Sequence, residues 1–94
     1  MAEIIWSNGA LLDLEEIAEY ISKDSPAAAQ AYVQTVYQKV AALSFYPQMG
    51  RVIPEFGDVK KREIFIHSYR LQYQVNSDDI WIVALVHFAR NINH

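Results

Sequence analysis

The chain has no cysteine, so neither a disulfide framework nor a thiolate metal site can be built from it. Its three histidines, His67, His87 and His94, show no short metal-ligand spacing, which argues against zinc. No apolar run approaches the roughly 20 residues needed to span a bilayer. The opening MAEIIWSNG has no basic stretch followed by an apolar one, so no secretory signal is visible. Internal repeats and low-complexity tracts are missing too. A cytoplasmic, soluble protein without cofactor or metal is expected, with residues 1–94 as one domain. Positive charge is also scarce: eight Lys and Arg against eleven Asp and Glu give a formal net charge of -3. Proteins that live on nucleic acid are usually basic, because phosphate neutralisation supplies most of their non-specific affinity.

The charge that is present is unevenly placed. Leu11 to Asp24 carries Asp13, Glu15, Glu16, Glu19 and Asp24 against Lys23 alone. Arg51 to Arg70 carries Arg51, Lys60, Lys61, Arg62 and Arg70 against Glu55, Asp58 and Glu63. An acidic helical layer and a mildly basic sheet region follow.

Glu3 to Trp6, with β-branched Ile4 and Ile5, predicts a first strand, and Ser7 or Asn8 can cap the helix after it. Ala10, Leu14, Ile17, Ala18 and Ile21 recur at three and four, a helix stripe. The acids fall off that stripe, and the early ones suit the positive end of the helix dipole. Asp24-Ser25-Pro26 ends this helix and opens another, with Ser25 as N-cap and Pro26 at the first helical position. The second helix is expected to reach about Phe45, with Ala29, Tyr32, Val33, Val36, Val40 and Leu43 on one stripe. So short a connection makes the pair an antiparallel hairpin. Arg51 to Val59, with Pro54 and Gly57, is expected to be a loop.

Three β-rich runs follow, broken at His67-Ser68 and at Asn76 to Asp79. In the middle run Leu71, Tyr73 and Val75 alternate with Arg70, Gln72 and Gln74, giving an apolar face and a polar face. Strict alternation in the last run places Ile80, Ile82, Ala84 and Val86 on one face and Trp81, Val83 and Leu85 on the other. The expected fold is therefore two-layer α+β: an N-terminal strand, an antiparallel helix hairpin, then a three-stranded antiparallel meander. One helix hairpin covers one face of a sheet. Cover for the apolar residues of the other face comes either from the Arg51 to Val59 loop and the C-terminal tail, or from a partner chain.

Five sequence elements then carry a family resemblance. They are W-S-x-x-A-L-x-D-L-E-E-I-x-x-Y-I with D-S-P-x-A-A, P-x-x-G-R-x-x-P-E at Pro47 to Glu55, R-E at Arg62-Glu63, Y-R-L-x-Y at Tyr69 to Tyr73, and V-H-x-A-R at Val86 to Arg90. Together and in order they resemble the RelE/ParE toxins of type II toxin–antitoxin systems. The resemblance implies the same fold, no cofactor, and a small cognate antitoxin as partner, with Tyr32, Tyr37 and Trp81 among its contacts. It leaves two mechanisms. RelE-like members cut mRNA in the ribosomal A site, whereas ParE-like members inhibit DNA gyrase. An RNase would draw on Arg70 and Arg90 for phosphate and transition-state contacts, Glu55 as base and His87 as acid. Arg51, Arg62, Arg70 and Arg90 are the candidate target- or phosphate-contacting set. Three candidates also have structural readings, Arg70 as the cross-strand partner of Glu63, Glu55 as a solvated acid or the partner of Arg51, and His87 as a packed or capped histidine, whereas Arg90 has no obvious core role and is the best candidate for a functional contact. The tail Asn91-Ile92-Asn93-His94 lacks the terminal tyrosine of the ribosomal cutters, and their lysine-rich strand is thin here. The expected target is therefore gyrase, with the ribosome and mRNA as the alternative.

Overall fold

The structure, a computed structural model, describes residues 1–89. Strand β1 (Glu3–Trp6) leads into helix α1 (Asn8–Ser22) and helix α2 (Pro26–Leu43). Four further strands complete the chain: β2 (Arg51–Val52), β3 (Lys61–Ile66), β4 (Tyr69–Val75) and β5 (Asp79–His87). They form one sheet in the order β1-β5-β4-β3-β2, with β1 parallel to β5 and every other pair antiparallel. The expected α+β architecture is present, with two additions. The first strand lies beside the last, and the segment expected to be wholly loop contributes the two-residue edge strand β2.

Each helix begins where its sequence has a cap. Ser7 Oγ accepts from Ala10 N at 3.0 Å, and Ser25 Oγ accepts from Ala28 N at 3.1 Å with Pro26 following. Because α1 starts at Asn8, its first turn holds no acid, and its acids run from Asp13 to Glu19 at the start of the last turn. The expected benefit from the dipole therefore falls away, since the effect is confined to the first turn. The N-terminus is held by Ser44 at the end of α2: Ser44 Oγ donates to Ala2 O at 2.6 Å, and Ala2 N donates to Ser44 O at 3.1 Å.

The core lies between the hairpin and one face of the sheet. Ala10, Leu14 and Ile17 of α1 and Tyr32, Val36, Val40 and Leu43 of α2 meet Ile66, Leu71, Tyr73, Ile80, Ile82 and Leu85. Leu85 corrects the expected alternation. Opposite β5, Gln72 pairs with Ala84 and Tyr73 with Ile82, so Val83 is an extra residue that shifts the parity of β5. Leu85 thereby joins Ile80 and Ile82 on the core face, and Trp81 and Val83 remain exposed. The polar groups near this bulge are taken up by α1: Ser7 Oγ donates to Val83 O at 3.2 Å, and Asp13 Oδ2 accepts from Leu85 N at 3.0 Å.

At the opposite edge, buried Tyr73 donates its hydroxyl to Pro47 O at 2.8 Å and accepts from Gly50 N at 2.9 Å. A Cβ at Gly50 would stand 2.5 Å from Glu63 O and 2.7 Å from that hydroxyl, so only glycine allows this approach. Among the described residues no helix is long and apolar enough to cross a membrane.

Candidate functional site

The sheet face turned away from the helices carries a row of charges whose register follows from strand pairing. Arg51 of β2 lies opposite Glu63 of β3, Glu63 opposite Gln72 of β4, and Phe65 opposite Arg70. Glu63, with no exposed side-chain surface, accepts from Arg51 Nε at 2.8 Å, Arg70 Nε at 2.7 Å and Gln72 Nε2 at 3.2 Å. From the loop beyond β2, Glu55 meets Arg70 in a bidentate pair, Nη1 to Oε2 at 2.8 Å and Nη2 to Oε1 at 2.7 Å. The row Arg51–Glu63–Arg70–Glu55 alternates in sign and sums to zero. No buried side-chain polar atom of the described residues lacks a partner.

These contacts set the ionisation of Glu55 and Arg70. The hydrogen bond from Arg70 pulls the Glu55 carboxyl down to about 2, outweighing the opposing effect of burial. The bonds to Glu55 and then Glu63 raise Arg70 above the ordinary arginine value despite its burial. All three nitrogens of Arg70 donate to carboxylates, and its side chain is only 5% exposed. A phosphate could engage that fork only by displacing Glu55.

The other candidates are scattered. Arg62 faces the opposite way along β3 and donates to Val59 O at 3.0 Å and Gly50 O at 2.9 Å, tying two loops to the sheet edge. Arg51 lies 5.0 Å over the Phe65 ring and keeps 55% of its side chain exposed. Arg90 lies outside the described residues. Glu55, read as a partner for Arg51, pairs with Arg70 instead, because Arg51 reaches Glu63 directly across the β2–β3 pairing. His87 stands on the helix side of the sheet, edge-on to Tyr69 at 5.6 Å, while its neighbour Val86 pairs with Arg70 on the other face. Glu55 and Arg70 are thus brought together, and His87 is not brought to them.

The aromatic candidates also diverge. Tyr32 is buried, its ring 5.9 Å from Tyr69 and its phenol pushed up to about 12 by burial and then by Tyr69. Tyr37 is half-exposed on α2, 5.3 Å from Trp6, and Trp81 is exposed on the outer sheet face. No group of three or more His, Cys, Asp or Glu that could hold a metal occurs among the described residues.

A second feature was not singled out in the sequence. A groove of about 900 Å³ runs between the two helices and the β3–β4 turn, with Asp13, Glu16 and Tyr20 on one wall and His67, Tyr69 and His87 on another. Its signal lay in α1: residues 13, 16, 17, 20 and 21 recur at helical spacing, a mixed acidic and aromatic stripe beside the apolar one.

Residues 4–92 match the sequence model of a family described as the ParE toxin of type II toxin–antitoxin system, parDE. The chain is 31% identical over 90 residues to toxin RelE2 of Caulobacter vibrioides, covering 96% of this chain and 99% of that protein. It is 37% identical over 87 residues to the toxin candidate Y4kP of Sinorhizobium fredii, covering 89% and 85%. Its fold superposes with a TM-score of 0.75 on a chain of the chromosomal ParDE system from P. aeruginosa, at 21% identity and covering 93% and 96%.

Proposed function

This chain belongs to the ParE toxin family of type II toxin–antitoxin systems, within the wider RelE/ParE group, and we propose that it acts on DNA gyrase rather than on ribosome-bound mRNA. An antitoxin partner comes with membership of such a system. The observation that carries the choice of target is the state of Arg70. In-line cleavage of RNA needs a cation free to meet the phosphate and an acid and base on the same side of it. Here the Arg70 fork is filled by Glu55 and Glu63, and His87 projects from the opposite sheet face. Charge supports the same choice. At net -3 the chain is repelled at long range by the dense phosphate of the ribosomal A site, whereas a protein target asks only for complementary patches.

On the outer sheet face, Phe65, Trp81 and Val83 are exposed beside the exposed Arg51. Aromatic and arginine side chains of this kind are frequent anchors of protein interfaces. Under the proposal this face, with Arg51 and Trp81, meets the target. The relative named RelE2 and the Glu55–Arg70 contact favour the second reading, a ribosome-dependent RNase in which bound mRNA displaces Glu55. Purified toxin assayed for gyrase supercoiling, beside primer extension on a translated message, separates the two. Inhibited supercoiling with intact message is expected; cleavage at A-site codons with gyrase unaffected overturns the proposal.

A further inference from the structure

Two arginines on the outer sheet face share Glu63 in the same way. Arg70 donates to it from Nε at 2.7 Å and from Nη2 at 3.1 Å. Arg51 sets Nε at 2.8 Å and Nη2 at 2.7 Å from Glu63 Oε2. Each guanidinium thus spends its side-on edge on Glu63 and keeps its end-on fork, formed by Nη1 and Nη2, for another group. In Arg70 that fork is closed by Glu55, Nη1 to Oε2 at 2.8 Å and Nη2 to Oε1 at 2.7 Å. In Arg51 the same fork has no partner among the described residues.

The open fork is held in place. Its guanidinium lies 5.0 Å over the Phe65 ring, and Glu63, which anchors it, has no exposed side-chain surface and is itself bonded by Gln72. Stacked on one side and bonded along one edge, Arg51 has little freedom left to lose when its last edge is filled. Yet 55% of its side chain is exposed, against 5% for Arg70. Charge indicates what fills it. The row Glu55, Arg70, Glu63, Arg51 alternates in sign and ends on a cation, so the next group in the series is an anion. A planar carboxylate matches such a fork, as Glu55 does at Arg70. The apolar surface of Phe65, Trp81 and Val83 on the same face suits a protein, and the net charge of -3 repels a polyanion at long range.

We propose that the open fork of Arg51 receives one aspartate or glutamate carboxylate of the protein target, as the fork of Arg70 receives Glu55. Arg51 is then a binding anchor, and Glu63 is the residue that positions it. The inference rests on the reading that this sheet face meets a protein target, and it adds the chemistry of the contact: an acidic side chain beside apolar surface.

The test uses the full chain. Wild type, Arg51→Lys, Arg51→Gln and Lys39→Gln are assayed for inhibition of gyrase supercoiling, and the melting temperature of each is recorded. Arg51→Lys keeps the charge and loses the fork, so the inhibitory concentration should rise about tenfold. Arg51→Gln should raise it further. Lys39→Gln, a charge loss at an exposed position of α2, should stay within about threefold. In parallel, the Arg51 Nε–H signal of the wild type is followed by NMR. Two peptides of one scaffold, with glutamate or glutamine at one position, and a short single-stranded RNA are each added to millimolar concentration. The glutamate peptide is expected to shift the signal, and the glutamine peptide and the RNA are not. No shift, equal shifts from both peptides, a larger shift from the RNA, or a shift at Arg70 in place of Arg51 each overturn the proposal. Full inhibition by Arg51→Lys removes the fork and keeps the gyrase reading. Wild type that leaves supercoiling untouched removes that reading, and the peptides still decide the fork. They also decide it if Arg51→Lys lowers the melting temperature.

Discussion

Arg70 is held by two carboxylates at once, and its burial changes what its removal costs. An exposed ion pair contributes ~0–1 kcal/mol, but truncating one partner of a buried pair strands the other charge. Arg70→Ala leaves Glu63 buried, with Arg51 and Gln72 still bonded to it, so a loss of about 3 kcal/mol is expected in urea denaturation. Loss of toxicity with unchanged stability would instead mark Arg70 as a direct contact. Glu55 provides a pH signature. Its carboxyl is held at about 2 in the fold against 4.5 ordinarily, so its stabilisation is complete above pH 4.5 and is lost as pH falls toward 2. The melting-temperature gap between the wild type and Glu55→Gln should be constant above pH 4.5 and close below it; a gap independent of pH would contradict the bidentate pair. The Arg70–Glu63 contact was legible in the sequence, because alternation places both on one face of adjacent strands. The Glu55 contact was not, since it depends on how a loop folds back over the sheet.

At the scale of elements, β5 and α1 are coupled through the bulge at Val83. Ser7 closes the start of α1 and also reaches Val83 O, while Asp13, near the middle of α1, takes Leu85 N. Ser7→Ala should cost about 1 kcal/mol, the usual loss for an N-cap. Asp13→Ala should speed hydrogen exchange at the Leu85 amide while leaving the amide of Ala28, capped by Ser25, unchanged. Equal protection of Leu85 in both proteins would show that the carboxylate is dispensable there. The helix hairpin was readable down to the Ser25 cap and Pro26, because those signals are local. The bulge was not. Both parities of β5 are apolar, so the sequence carries no mark of where the alternation slips, and strict alternation puts Leu85 on the outer face. Strand β2 escaped for a similar reason: two residues are too few to show a period, and Pro54 shortly after them reads as a break.

Across the whole molecule, charge is sorted by layer. Arg51 and Arg70 of the sheet pair with Glu63 and Glu55, and the acids of α1 have no cationic partner among the described residues, a division already visible in the running charge of the sequence. What the running charge could not show is that the first strand ends up beside the last. Glu3 pairs with Asp79, and among the described residues β1 finds its only strand neighbour in β5. That arrangement has a consequence for timing during synthesis. At about 5–20 residues per second, translation takes on the order of four to fifteen seconds to travel from one strand to the other. Until β5 emerges, β1 has no hydrogen-bonding partner and β4 has an open edge, and pairing so distant along the chain is slow to form. Nascent chains arrested before Asp79 should be cut rapidly by protease throughout the sheet, and chains extended past His87 should resist; resistance of the shorter chains would show that the sheet forms without its last strand. A toxin closed by its final strand cannot act while it is being made, which leaves an interval in which an antitoxin already present can meet it.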